Sequence, residues 1–164
     1  MYHKIESTKD DKILDHCAQM MSQSEPWITL KRDLNGCKEA MRGSHKEVYV
    51  CINDEKLQGF IVLQMAGVFK GYIQSICVSP EMRGSGLGTA MIAFAEKRIF
   101  SVSPNVFMLV STFNERAANL YFRLGYEKIG VLKNFVIDRM DEFLLRKTIG
   151  SLRDFSLKKV TLNS

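Results

Sequence analysis

Three glycines alternate with other residues in the segment Arg83-Gly84-Ser85-Gly86-Leu87-Gly88. A run of β-favouring residues precedes the segment and a helical pattern follows it, so we predict a turn that leads into a helix. The first turn of a helix presents backbone N–H groups without partners and the positive end of the helix dipole, which together can hold a phosphate. The spacing matches neither of the two common glycine-rich phosphate-binding patterns, so a turn that serves only packing is the alternative interpretation.

The elements that must position this turn follow from the hydrophobic periodicity of the chain. In order, it predicts a strand at 2–6, helices at 10–21 and 33–42, strands at 48–52, 57–66 and 72–78, a helix at 89–100, a strand at 106–110, a helix at 115–124, and strands at 126–132 and 142–147. Asn114 is the predicted N-cap of the last helix and Gly125 its C′ residue. This order predicts one domain over residues 1–149, a mixed sheet with helices on both faces, and a polar, loosely held tail over 150–164.

Composition narrows the classes of protein. The 164 residues are 46% hydrophobic and 25% charged, which is ordinary for one globular domain. The net charge of +5 favours acidic ligands, but the basic residues are dispersed, so no nucleic-acid partner is expected. The four cysteines and three histidines lack metal-ligand spacing, and no apolar run is long enough to span a membrane. We expect a cytoplasmic protein with reduced thiols and no metal.

Two separated motifs resemble the GNAT acyltransferase superfamily. The signature turn of that superfamily lies between the fourth strand and the third helix, and Arg83, Gly86 and Gly88 match it. The other matches are Ser79-Pro80-Glu81-Met82 before the turn and Asn114-x-x-Ala117-x-x-x-Tyr121-x-x-x-Gly125-Tyr126 after it. The resemblance covers about residues 71–147 and is somewhat closer to the branch that acetylates protein N-termini than to the aminoglycoside-modifying branches.

The resemblance implies an α/β (α+β) fold with a mostly antiparallel sheet of about six to seven strands, and acetyl-CoA as cosubstrate. It implies that the CoA pyrophosphate binds the backbone amides of Arg83, Gly84, Ser85, Gly86, Leu87, Gly88 and Thr89. It also implies that the pantetheine pairs with Ile76, Cys77 and Val78 like an added strand. Asn114 matches a residue that hydrogen-bonds the pantetheine, although an N-cap role alone would account for it equally well.

The resemblance further implies that the acceptor amine attacks the thioester directly in a ternary complex. Tyr121 matches the general acid that protonates the departing thiolate, and packing on the sheet is its alternative role. Tyr72 and Gln74 are not ready bases at neutral pH, so Glu25, acting through water, is the predicted general base. Cys77 as a buried structural thiol is the simpler interpretation than an acyl-cysteine intermediate, because no partner histidine is identifiable.

The acceptor pocket is expected at the loops 22–32 and 133–141, which carry substrate choice in the superfamily. Its predicted walls are Trp27, Tyr72, Gln74 and Phe135, although Trp27 could instead fill the core. Four carboxylates in or beside these loops could attract a cationic amine: Glu25, Asp138, Asp141 and Glu142. The acceptor is predicted to be a protein or peptide N-terminus or a small-molecule amine, and the protein a monomer or homodimer. A non-catalytic acyl-CoA-binding module is the alternative function.

Overall fold

A computed structural model describes residues 3–162, with side chains described for residues 3–157. The elements are β1 (Ile5–Thr8), α1 (Asp11–Ser22), α2 (Leu34–Met41), β2 (Lys46–Asn53), β3 (Lys56–Gln64), β4 (Tyr72–Val78), a 3-10 turn (Pro80–Met82), α3 (Leu87–Phe100), β5 (Asn105–Ser111), α4 (Glu115–Arg123), β6 (Glu127–Leu132), β7 (Glu142–Thr148) and α5 (Leu152–Leu162). The predicted order of strands and helices is confirmed through β7. The predicted mixed, mostly antiparallel sheet is also confirmed, with seven strands.

Two predictions at the chain ends differ from the structure. The first strand lies at Ile5–Thr8 rather than 2–6, and Tyr2 lies outside the described residues. The tail predicted to be loosely held beyond residue 150 instead forms α5 over Leu152–Leu162. The Ser151 hydroxyl accepts a hydrogen bond from the Asp154 N–H at 3.1 Å and donates one to the Asp154 carboxylate at 2.7 Å. This local cap explains why a polar segment begins a helix.

The first compact unit comprises Met1–Met65 and Ile73–Ala95. Its strands lie in the order β1-β2-β3-β4, and a two-residue turn at Asp54 and Glu55 joins β2 to β3 with positive φ at both positions. The Asp10 carboxylate caps α1 by accepting from the Lys12 and Ile13 N–H groups. One hydrophobic cluster joins both helices to the strands: Leu14, Cys17, Ala18, Met21, Trp27, Cys37, Ala40, Met41, Val48, Val50, Phe60, Val62 and Cys77.

The second compact unit comprises Ala66–Tyr72 and Glu96–Ser164. In it β7 lies between β5 and β6 and pairs antiparallel with both. Glu142, the first residue of β7, stands opposite Ser111 at the end of β5 and Leu132 at the end of β6. Among residues 3–162 no helix is long and apolar enough to cross a membrane, and no His, Cys, Asp or Glu group with the geometry of a metal site occurs in that range.

Candidate active site

The glycine-rich turn of the first unit offers unpaired backbone donors at an exposed surface. The 3-10 turn carries the chain from β4 to Arg83, and α3 begins at Leu87, whose side chain is fully buried. The Ala90 N–H donates to the Gly86 carbonyl at 3.0 Å. The N–H groups of Gly84, Gly86, Gly88 and Thr89 donate to no described residue. Leu87 therefore fixes the helix start in the core, while donors around it stay available for an anion.

Backbone conformation explains two of the three glycines. Gly84 and Gly86 have φ of +82° and +88°, a region that other residues rarely adopt, and a Cβ at either would meet no described atom within 4 Å. Gly88 has no positive φ, and its Cβ would make an ordinary 3.7 Å contact with Val78. The requirement for glycine thus comes from the turn geometry at Gly84 and Gly86, and crowding does not explain it.

Strand β4 carries the residues expected to align the pantetheine. Its end is fixed because the Ser79 N–H donates to the Gln58 carbonyl of β3 at 2.8 Å. Ile76 and Val78 are half-buried and Cys77 is buried. Burial raises the pKa of the Cys77 thiol, although a hydrogen bond with Ser24 and the charge of Arg83 oppose the shift. A thiol held protonated is a poor nucleophile, which favours the structural interpretation of Cys77.

Helix α4 of the second unit positions Asn114 and Tyr121. The Asn114 side chain accepts from the Ala117 N–H at 3.4 Å, as its predicted N-cap role requires, and its side-chain NH₂ donates to no described residue. Gly125 follows the helix with φ of +88°, and the Tyr126 N–H donates to the Tyr121 carbonyl, so the predicted C′ position is confirmed.

The Tyr121 ring is buried, with 8% of the residue exposed, and packs edge to face on Tyr126 with ring centroids 6.2 Å apart. Burial raises the pKa of Tyr121 to about 12. The Tyr121 hydroxyl makes no hydrogen bond with a described residue. It is not fully enclosed by the protein, whereas the Tyr126 hydroxyl is. Tyr121 is therefore a neutral phenol with an available donor at neutral pH.

The structure brings Glu142 and Ser111 together. Only Glu142 was predicted, as one of four carboxylates that could attract a cationic amine. Glu142 is 3% exposed, and the Ser111 hydroxyl donates to its carboxylate at 2.7 Å. Burial raises the pKa of Glu142, and the Ser111 hydrogen bond partly offsets the shift. Ser111 carried no sequence signal, because the two residues are 31 positions apart and only the register of β5 and β7 makes them neighbours.

The residues predicted for the acceptor side occupy different surroundings. Trp27 packs in the hydrophobic cluster of the first unit, as its alternative role expected. The Gln74 amide donates to the Ala40 carbonyl at 3.2 Å, and Tyr72 is half-buried. Phe135, in the connection between β6 and β7, is 58% exposed. Glu25 is exposed, and its carboxylate accepts from the Thr29 N–H at 3.2 Å, so part of its hydrogen-bonding capacity serves its own loop.

The chain is similar in sequence to known acetyltransferases. The sequence pattern of the Acetyltransferase (GNAT) family matches residues 12–126, which is more than half of the chain. An N-alpha-acetyltransferase of Sulfurisphaera tokodaii is 34% identical over 80 residues, 48% of this chain and 48% of that protein. An N-alpha-acetyltransferase of Saccharolobus solfataricus is 25% identical over 114 residues, 62% of this chain and 68% of that protein. The match thus spans about half the length of the first of these relatives.

Solved structures share the fold. The ribosomal-protein-S18-alanine N-acetyltransferase of Escherichia coli superposes with a TM-score of 0.70 at 18% identity, over 92% of this chain and 96% of that chain. An aminoglycoside 6'-N-acetyltransferase complexed with coenzyme A superposes with a TM-score of 0.70 at 17% identity, over 90% of this chain and 98% of that chain. At these identities the likeness establishes the fold alone.

Proposed function

Because the chain belongs to the Acetyltransferase (GNAT) family, we propose that it transfers an acetyl group from acetyl-CoA to a primary amine by direct attack in a ternary complex. The observation that carries the proposal is the exposed turn at the start of α3, where four backbone N–H groups donate to no described residue. Backbone donors at a helix N-terminus are suited to a pyrophosphate. The CoA complex of a structural neighbour supports this assignment.

The cosubstrate would be held along its length by three groups of residues. Arg83, with the backbone of 84–89, binds the pyrophosphate. Ile76 to Val78 of β4 offer backbone groups to the amides of the pantetheine, which aligns a flexible arm as strand addition does. The free side-chain NH₂ of Asn114 donates to the pantetheine while its oxygen continues to cap α4. When bound, acetyl-CoA supplies the activated acetyl group.

Proton transfer to the leaving group is assigned to Tyr121. A thiol has an ordinary pKa of about 8.5, so its thiolate is a moderate leaving group that a nearby phenol can assist. Tyr121 satisfies two requirements of such an acid, since it stays protonated at neutral pH and its hydroxyl has no partner among the described residues. Burial of its ring fixes the donor in position.

The acceptor is proposed to be a peptide or protein N-terminus, with a small-molecule amine as the second possibility. The N-alpha-acetyltransferases among the relatives support the first choice. The loop 133–141 carries both an exposed aromatic residue, Phe135, and an exposed carboxylate, Asp138. A loop with both an apolar side chain and a carboxylate suits an amine attached to an organic group. Trp27, Tyr72, Gln74 and Glu25 remain proposed contributors to the acceptor side.

Calorimetric titration of acetyl-CoA and free CoA tests the cosubstrate site. Gly86→Trp is expected to weaken binding at least 100-fold, because the side chain would displace charge-assisted hydrogen bonds worth about 1.5–3 kcal/mol each. The matched control is Gly67→Trp, since Gly67 has the same φ of +88° and equally open surroundings. Equal binding by both variants, or no binding by folded wild-type protein, would overturn the proposal.

A further inference from the structure

Glu142 is the one charged residue that is buried among residues 3–157. Its carboxylate accepts a hydrogen bond from the Ser111 hydroxyl at 2.7 Å, and no lysine, arginine or histidine of the described chain forms an ion pair with it. Glu96, the other carboxylate with low exposure, differs because Lys147 lies 2.7 Å from it. Glu142 is thus a buried acid whose partner is a neutral hydroxyl.

Such an arrangement is costly for a purely structural residue. Removing a carboxylate from water without a cation disfavours its charged form, and an amide or an apolar side chain would fill the same space at lower cost. Burial accordingly raises the pKa of Glu142. A buried carboxylate without a cation is therefore complementary to a cationic ligand, and groups of this kind cluster at functional sites.

The position of Glu142 relates it to the acceptor loop and to the helix of Tyr121. The loop 133–141 ends at Glu142, and the Asp141 carbonyl accepts from the Thr112 N–H at 3.0 Å. The Ser111 carbonyl accepts from the N–H of Asn114, the cap of α4, at 2.8 Å. The carboxylate therefore lies at the end of the second unit from which the acceptor loop and the α4 segment both depart.

We infer that Glu142 is the general base of the transfer reaction, which takes a proton from the ammonium group of the acceptor. This inference rests on the proposed function. It names Glu142 as the general base in place of Glu25, which was predicted from the sequence. The two residues that pair with Glu142 in the neighbouring strands are neutral: Ser111 in β5 and Leu132 in β6.

The charged groups of the adjoining loop are directed elsewhere. Asp141 accepts from the Asn134 N–H at 3.1 Å, Asp138 pairs with Arg139 at 3.6 Å, and Lys133 is exposed. The acceptor ammonium would thus be the first cation to meet the Glu142 carboxylate.

The step balances in protons and bonds. The ammonium gives one proton to the Glu142 carboxylate, and the neutral nitrogen forms a C–N bond to the acetyl carbonyl carbon as the C–S bond breaks. Tyr121 donates its proton to the departing sulfur and regains one from the nitrogen as the amide forms. Glu142 then releases its proton to water, so the net products are the amide, CoA thiol and one proton.

Glu142→Gln tests the inference, with a synthetic peptide bearing a free N-terminal serine and with spermidine as acceptors. The glutamine can still accept from Ser111, but it cannot take a proton. Loss of a general base is expected to lower kcat/KM by about 10²–10⁴-fold at pH 7. Wild-type kcat/KM should rise with pH through a raised carboxyl pKa, and this acidic limb should be absent in Glu142→Gln.

Ser111→Ala supplies a readout that a merely structural role would not move. The Ser111 hydrogen bond lowers the pKa of Glu142, so its loss should move the acidic limb to higher pH while the activity above the limb is retained.

Thermal stability gives a second readout. The pKa of Glu142 is higher in the folded than in the unfolded protein, so the folded state loses stability as pH rises from the unfolded-state pKa through the folded-state pKa. Glu142→Gln should therefore melt no lower than wild type at pH 7.

The outcomes separate the inference from the proposed function. Failure of the wild type to bind acetyl-CoA would overturn the proposed function itself. Wild-type binding with no acetylation of either amine would overturn the proposed transfer activity and the inference with it. A Glu142→Gln variant that keeps the acidic limb and loses less than threefold in kcat/KM would overturn the inference alone. Unchanged acetyl-CoA affinity, lost turnover and a missing limb in Glu142→Gln would support the assignment.

Discussion

Replacing Tyr121 by phenylalanine removes one hydroxyl group and leaves the ring in place. That hydroxyl makes no hydrogen bond with a described residue, and the ring retains its edge-to-face contact with Tyr126. The variant should therefore fold with a stability within about 0.5 kcal/mol of the wild type, because loss of the hydroxyl leaves no described group without a hydrogen-bond partner. Acetyl-CoA affinity should also change little, because the hydroxyl acts on the developing thiolate.

The expected loss of turnover follows from two pKa values. Burial raises the pKa of Tyr121 to about 12, and an ordinary thiol has a pKa of about 8.5. Transfer of the proton to a fully formed thiolate is thus uphill, and the phenol assists departure by partial transfer. We expect kcat of Tyr121→Phe to fall about 100-fold, at the lower end of the range for a general acid. In the wild type, deprotonation of Tyr121 should cause no loss of kcat between about pH 6 and 10.

The assay is release of CoA thiol under steady-state conditions, with acetyl-CoA affinity measured separately by calorimetry. Tyr126→Phe is the matched control, because it also removes one hydroxyl from a buried ring, but this hydroxyl is enclosed and lies close to Glu96. This control should keep turnover within about twofold of wild type. Full activity in Tyr121→Phe would refute the acid role, and equal losses in both variants would trace the effect to packing. Absence of any wild-type turnover despite tight binding would favour the acyl-CoA-binding module.

Further predictions concern the N-cap and the buried thiols. Asn114→Ala should lower the free energy of unfolding by about 1 kcal/mol, since the Ala117 N–H loses its cap, whereas Asn114→Asp should retain stability; denaturant titration distinguishes the two. Cys77→Ala should keep sequential initial-velocity kinetics, because burial raises the pKa of the thiol, and ping-pong kinetics in the wild type would contradict this. Thiol reagents should label native Cys77 and Cys17 far more slowly than the unfolded protein, since burial raises the pKa of Cys17 to about 12.

Local signals in the sequence predicted much of the fold. Strand β4 lies at the predicted residues 72–78, and the Asn114 cap and the Gly125 end of α4 were both predicted. Each of these depends on residues a few positions apart, where periodicity and helix capping act directly. Ser151 and Asp154 carried an equally local signal for α5, and the polarity of the tail concealed it.

Only the tertiary structure decided which side chains are buried and what they contact. Trp27 lies in the core of its unit, and the Cys77 thiol is held protonated by its surroundings. Glu142 appeared in the sequence as one acidic residue among several beside a loop, but the register of β5 and β7 buries it against Ser111. Sequence alone determined the local conformations, whereas the chemistry of Glu142 depends on contacts between distant segments, because burial and pKa are set by the packed environment.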